Sequence, residues 1–155
     1  MACQDREPGL TPDEQITVLK YLDCVDCLFA LDSLRALATR QADATVDSLN
    51  SALLNGPTDR ALAAADSVLK IGYVRDSSWR LARGLKPLIP RDSALRVERN
   101  GYIDGYRARG AMGMGWIRTA RARAYLDSAL TLPFSAPVLR AIRYARDSLP
   151  PQPPR

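Results

Sequence analysis

Apolar side chains return every three or four residues along most of the chain, interrupted by short polar or proline-containing breaks. That period places side chains on one face of an α-helix. Ile16, Leu19 and Leu22 mark a short first helix opening at Thr11-Pro12-Asp13-Glu14. There Thr11 can cap free amides, Pro12 suits the first turn, and Glu14 can reach back to complete a capping box. Leu28, Leu31, Leu34 and Leu37, spaced by three, predict a second helix. A third is expected over 42–54 with Val46, Leu49 and Leu53 inward, ended by Asn55-Gly56-Pro57.

Thr58-Asp59 caps a fourth helix with Leu62, Ala65 and Leu69 inward, expected to close at Gly72. A fifth starts at Asp76 or Ser77, is anchored by Trp79, Leu81, Leu85 and Leu88, and is broken by Pro87 and Pro90. Arg91-Asp92-Ser93 begins a sixth segment, which either stops at Gly101 and resumes or runs on as one kinked helix. From Gly101 to Leu149 the pattern is clearest. A helix facing Tyr102, Tyr106 and residues 112–117 inward meets a tight turn at Arg118-Thr119. A return helix over 120–130 is expected to bury Ala124, Tyr125 or Leu126, and Leu130. After a break at Leu132-Pro133, a last helix over 136–149 turns Val138, Leu139, Ile142 and Ala145 inward. Gly110, Gly113 and Gly115 each cost a helix roughly 1 kcal/mol relative to alanine. A neighbouring helix crossing very closely would explain them.

The chain as a whole reads as all-α, a single domain of about six to eight helices: 1–10 an N-terminal tether, 11–149 the helical domain, and 150–155 a proline-rich tail. Asp-Ser pairs recur at Asp32, Asp47, Asp66, Asp92, Asp127 and Asp147, mostly inside expected helices, as weak support for internal repetition. The stretch from Gly110 through Met112, Gly115, Leu126 and Leu130, followed by Pro137, Val138, Leu139 and Arg140, resembles a HEAT-type repeat. In such repeats a helix end rich in alanine, leucine and glycine meets a short turn. A second helix ending in leucine follows, then a proline-containing link and a helix opening with valine and arginine. Residues 34–62 match more loosely, and 73–100 depart from the pattern. The resemblance implies a right-handed stack of antiparallel helical hairpins offering an elongated surface to a partner.

Composition narrows the chemistry. The chain has 155 residues and no histidine, so the usual general base and commonest metal ligand are missing. Serines are abundant, but no triad of the usual kind can be built without histidine. Cys24-Val25-Asp26-Cys27 has the spacing of a redox motif, yet Asp23 and Asp26 should raise rather than lower the thiol pKa values. These two cysteines are expected to form either a short structural disulfide or a pair of reduced buried thiols. A zinc site would need more ligands than the chain clusters. The glycines of the last third lie in a helix rather than a phosphate-binding loop. No catalytic residue, metal or cofactor is therefore expected.

The formal charge of +5 conceals an asymmetry. Through Leu69 there are five basic and eleven acidic side chains; from Lys70 onward, seventeen basic and six acidic. Such a polar molecule suits orientation against a charged partner. Arg107, Arg109, Arg118, Arg121, Arg123, Arg140, Arg143 and Arg146, with Trp116 and Tyr144, are the expected contact residues. Arginine far outnumbers lysine, and guanidinium groups suit fixed, bidentate protein contacts. Nucleic acid is the weaker expectation, because few aromatics interleave with the basic residues.

The start Met1-Ala2-Cys3 resembles the end of a bacterial lipoprotein signal, which makes Cys3 a candidate for acylation. An anchor at Cys3 and a disulfide at Cys24 and Cys27 would agree in placing the protein outside the cytoplasm; a cytoplasmic location is the alternative. The expected role is non-enzymatic: an extrinsic, membrane-peripheral scaffold bound to other subunits of a bacterial membrane complex, and to an anionic membrane surface. Subunits that brace a photosynthetic reaction centre with its antenna belong to this class. The alternative is a nucleic-acid-binding helical protein that uses the same arginines. A small-molecule substrate is not expected.

Overall fold

The structure, a computed structural model, describes residues 9–23 and 28–150. Cys3, Cys24 and Cys27 lie outside the described residues, so the lipidation and disulfide expectations fall there too. Seven helices and no strand occur among the described residues: α1 (Pro12–Asp23), α2 (Leu28–Arg40), α3 (Ala42–Asn55), α4 (Asp59–Ala82), α5 (Arg91–Ile117), α6 (Ala120–Ala129) and α7 (Ala136–Asp147).

The expected start and stop signals operate. The Glu14 amide donates to Thr11 Oγ1 at 3.4 Å and the Thr11 amide to Glu14 Oε2 at 3.0 Å, a complete capping box. Thr58 and Thr119 cap α4 and α6 by accepting from Ala61 and Ala122. Gly56 closes α3 with φ +74°.

Two boundaries differ from the sequence expectation. The fourth helix does not close at Gly72, and no separate fifth helix begins at Asp76 or Ser77. One helix runs through both to Ala82. A lone glycine costs about 1 kcal/mol and does not break a helix. The first proline beyond it is Pro87. For the same reason α5 passes through Gly101 and Gly105 as one helix of 27 residues.

Helix α5 is the axis of the fold and packs against all six other helices. In a linear repeat stack each unit touches only its neighbours. Helix α3 runs antiparallel to the second half of α5: Gly56 lies beside Ile103 and Arg107, Leu53 beside Gly110, and Leu49 beside Gly113. Helix α7 runs parallel to it, with Phe134 beside Arg107 and Ala145 beside Gly115. The core gathers where these helices meet α1, α2 and α6. Val18, Leu22, Leu34, Leu37, Val46, Leu49, Leu53, Tyr106, Met114, Leu126, Val138 and Ile142 are almost wholly buried there.

The inward faces of α3 and α7 follow the sequence pattern, as do Leu31, Leu34 and Leu37 of α2 and Tyr102, Tyr106 and residues 112–115 of α5, whereas Trp116, expected inward, is 39% exposed. In α6 the buried residues are Ala122, Leu126 and Ala129, whereas Ala124 is exposed. In α1 they are Val18, Tyr21 and Leu22. Ile16 and Leu19, expected inside, instead line a groove of about 610 Å³ between α1 and α2 with Phe29. Helix α1 carries two apolar stripes, and the one whose Tyr21 reaches α5 at Gly113 is buried. Leu10, expected in the tether, is buried in the core. Helix α4 packs against α5 alone, and none of its residues is fully buried. Leu62, Ala65 and Leu69 are half-buried, while Leu81 and Trp79 are 82% and 51% exposed. No helix among the described residues is long and apolar enough to cross a membrane.

Candidate functional site

Much of the arginine-rich surface serves the fold itself. The Arg109 guanidinium donates to the Leu22 carbonyl and ties α5 to the end of α1. Arg121, on the first turn of α6, reaches Asp43 at 3.3 Å and Asp47 at 3.5 Å on α3. Arg146 pairs with Asp127 at 3.0 Å and Asp147 at 3.4 Å. Arg123 donates to the Pro150 carbonyl and so secures the chain's exit from α7. Arg107 stacks its guanidinium 5.5 Å from the Phe134 ring, and its Nε has no hydrogen-bond partner among the described residues. These five side chains were expected as contact residues; each of them has a partner within the chain.

The recurring Asp-Ser pairs take part in the same interactions. Asp47 accepts from Arg121 and Tyr125, Asp66 pairs with Arg99, and Asp127 pairs with Arg146. Two arginines of the basic half, Arg99 and Arg121, thus pair with Asp43, Asp47 and Asp66 of the acidic half, while Arg146 pairs within its own half.

The remaining candidates converge. Trp116, Arg118 and Tyr144 line a small hollow of about 120 Å³ with Met112, Gly115, Ala145 and Ser148. The hollow forms beside the closest approach of α5 and α7. A Cβ on Gly115 would stand 3.0 Å from the Ala145 Cα, so the two backbones nearly touch there. Trp116 presents an exposed ring, with the Arg35 guanidinium 5.0 Å above it. Arg140, Arg143 and Tyr144 are exposed on one face of α7 at i, i+3, i+4. Arg118, Arg140 and Arg143 form no ion pair with any described residue.

Arg118 is the one described non-glycine residue with positive φ, at φ 61° and ψ 38°. It ends α5 in the left-handed conformation, its amide donating to the Met114 carbonyl at 3.2 Å. Glycine is the usual residue at such a position, because a Cβ costs about 1 kcal/mol there. Backbone strain of this kind concentrates at functional sites. The sequence marked Arg118-Thr119 as a turn. Its handedness had no local signal, since Arg has no preference for that region.

A second surface was not singled out from the sequence. Trp79, Leu81, Leu85 and Ile89 are each exposed where α4 gives way to α5. In the sequence Trp79, Leu81 and Leu85, with Leu88, read as apolar anchors of a separate helix, and Ile89 is not among them. Comparison of the chain with protein-family models, with curated proteins and with solved structures finds no match.

Proposed function

We propose that this protein is a non-enzymatic, all-helical binding subunit, peripheral to the membrane and extrinsic to a bacterial membrane protein assembly. Assemblies such as a photosynthetic reaction centre with its antenna are of the kind meant. Helices α5, α6 and α7 are the part read as HEAT-like, and they carry the contact surface. The extracytoplasmic face is the proposed location, on the strength of Cys3, Cys24 and Cys27 as sequence features.

The observation that carries this reading is Arg118. A cationic side chain is held in a costly backbone conformation at the mouth of a hollow lined by Trp116 and Tyr144, without an internal ion pair among the described residues. Aromatic and arginine anchors around a small hollow are typical of the residues that dominate protein–protein affinity. The exposed Arg140 and Arg143 extend the same face and favour an acidic partner surface.

The Arg118→Gly variant separates function from folding. It relieves the left-handed strain, so its thermal stability is expected to match or exceed the wild type. Its retention on the membrane complex, followed by mild solubilisation of host membranes and native electrophoresis, is expected to fall about tenfold, as for one lost charge-assisted contact. If Arg118→Gly and the Arg140→Glu, Arg143→Glu double variant both co-migrate with the complex as the wild type does, this face is not the contact. Wild-type protein that runs free of any membrane complex, yet binds DNA or RNA at low salt, would turn the reading to nucleic acid.

A further inference from the structure

Helix α4 is the one helix held by a single neighbour, and its far end stands clear of the core. It leaves the core at Asp59, after Gly56 packs beside Ile103 and Arg107, and extends roughly 36 Å at 1.5 Å per residue. Asp66 is level with Arg99, and Tyr73 with Ile89, so the last turns of α4 and the connection to α5 form the tip of a two-helix arm.

That tip is closed by hydrogen bonds. The Leu85 amide donates to the Arg80 carbonyl at 3.0 Å and the Gly84 amide to the Leu81 carbonyl at 3.1 Å, with Gly84 at φ +62°. These two bonds are the Schellman ending of a helix. The Arg80 Nε donates to the Lys86 carbonyl at 2.6 Å, and the Tyr73 hydroxyl to the Ile89 carbonyl at 3.0 Å. The loop is thus pinned at both sides while its apolar side chains point outward: Trp79, Leu81, Leu85 and Ile89 are all exposed.

Its charge is predominantly basic. From Ser77 through Arg91 the chain carries Arg80, Arg83, Lys86 and Arg91 and no acidic residue, with Asp76, paired with Arg75, and Asp92 at the two ends of that stretch. The Arg83 guanidinium lies 4.4 Å over the Trp79 ring, so cation and aromatic are presented together.

We propose that the tip of the α4–α5 arm docks on the surface of an anionic phospholipid bilayer. Trp79, Leu81, Leu85 and Ile89 enter the headgroup region, and Arg83, Lys86 and Arg91 face the lipid phosphates. Large apolar residues flanked by basic ones have the composition of interfacial membrane contacts, and tryptophan prefers that depth. Each basic residue near an anionic leaflet adds about 1 kcal/mol. A second copy of the chain is the poorer occupant, because two such tips would bring like charges together. A projecting tip suits a broad surface, whereas a partner helix is usually received by a groove. The inference deepens the membrane-peripheral reading above by naming the element and the lipid chemistry. It is separable from the protein contact at Arg118.

The test uses the full chain and vesicles of phosphatidylcholine with or without phosphatidylglycerol. Trp79 and Trp116 are the two tryptophans, so Trp116→Phe leaves Trp79 as the sole reporter and Trp79→Phe leaves Trp116. Expected are co-sedimentation with the phosphatidylglycerol vesicles, a blue shift of Trp79 emission but not of Trp116, and weakening by salt. The Arg83→Glu, Lys86→Glu, Arg91→Glu variant should lose on the order of a hundredfold in partitioning. Its helical circular dichroism should remain, since Arg83, Lys86 and Arg91 are all exposed. The proposal is overturned by absent binding at low salt, by equal binding to neutral vesicles, or by a shift of Trp116 in place of Trp79. It is also overturned if the wild type dimerises and Leu81→Ser abolishes the dimer, for then a second copy covers the tip. Failure here with co-migration intact at the Arg118 surface would leave the scaffold reading standing.

Discussion

Gly110 shows how one missing side chain can shape a core. A Cβ built there would lie 2.8 Å from the Leu49 carbonyl oxygen and 3.1 Å from the Leu53 amide nitrogen. Backbone cannot move aside as a flexible side chain can, so α5 would have to leave α3. Gly110→Ala should therefore destabilise by about 1–3 kcal/mol despite the better helix propensity of alanine. Gly101 is the control. It is in the same helix, it is exposed, and nothing lies within 4 Å of its Cβ position. Gly101→Ala should stabilise by about 0.5–1 kcal/mol. Urea denaturation of both variants checks the pair; two shifts of the same sign would contradict it. The sequence implied a close crossing at Gly110, Gly113 and Gly115 because helical glycine is costly. It did not say which helices cross: α3 at the first, α3 and α1 at the second, and α7 at the third.

Helix boundaries were legible where capping chemistry was read from the chain, as at Thr11, Gly56 and Thr58. They were misread where a single glycine stood in for a stop signal. Merging the expected fourth and fifth helices into α4 changes more than a boundary, because it replaces a folded-in hairpin with a long arm. The apolar residues Val68, Ile71, Val74 and Leu81 are exposed on that arm, although their spacing is that of core residues. Periodicity reports that a face is apolar, not what covers it. The local stability of the arm should follow. With no fully buried residue and one neighbour, the amides of α4 are expected to exchange with deuterium well before those of α3. Hydrogen exchange resolved by element would refute this if α4 and α3 were equally protected.

Across the whole molecule, three tyrosine hydroxyls join the acidic half of the chain to the basic half. Tyr21 donates to the Arg109 carbonyl at 3.2 Å, Tyr102 to Asp23 at 2.8 Å and Tyr125 to Asp47 at 2.7 Å. Burial pushes the Tyr21 phenol up from its ordinary value of 10.0 to about 12, against the opposing charge of Arg109. Tyr102 is raised by burial and by its hydrogen bond to Asp23, Tyr106 by burial and the Asp23 charge, and Tyr125 by its hydrogen bond to Asp47 and by burial. An acid whose pKa rises on folding keeps its proton longer in the native state than in the unfolded one. Stability is then fully present below about pH 10 and is lost as pH climbs through the folded value. For Tyr21 the rise corresponds to about 3 kcal/mol. The protein should unfold cooperatively at alkaline pH, and in a Tyr73→Phe, Tyr144→Phe background, which leaves only these four tyrosines, tyrosinate absorbance and loss of helical circular dichroism should appear together. Tyr21→Phe should make stability fall less steeply with pH over that interval. Tyrosinate appearing near pH 10 in the Tyr73→Phe, Tyr144→Phe background with the helices intact would contradict the assignment.

The sequence by itself determined the all-helical class, the caps at Thr11, Gly56 and Thr58, the inward faces of α3 and α7 and most of that of α5, and the helix–turn–helix course of the last third. All of these are local: they depend on residues three or four apart and on the few that start or stop a turn. Only the tertiary structure decided what the arginines are for and where the apolar faces go. Arg109, Arg121, Arg123 and Arg146 are matched by groups that lie well away along the chain or on other helices, a pairing that local spacing does not encode. The same holds for the gathering of Trp116, Arg118 and Tyr144, and for the exposure of Trp79 and Leu81. Whether a long-range neighbour is present is settled by how α5 collects the other helices around itself.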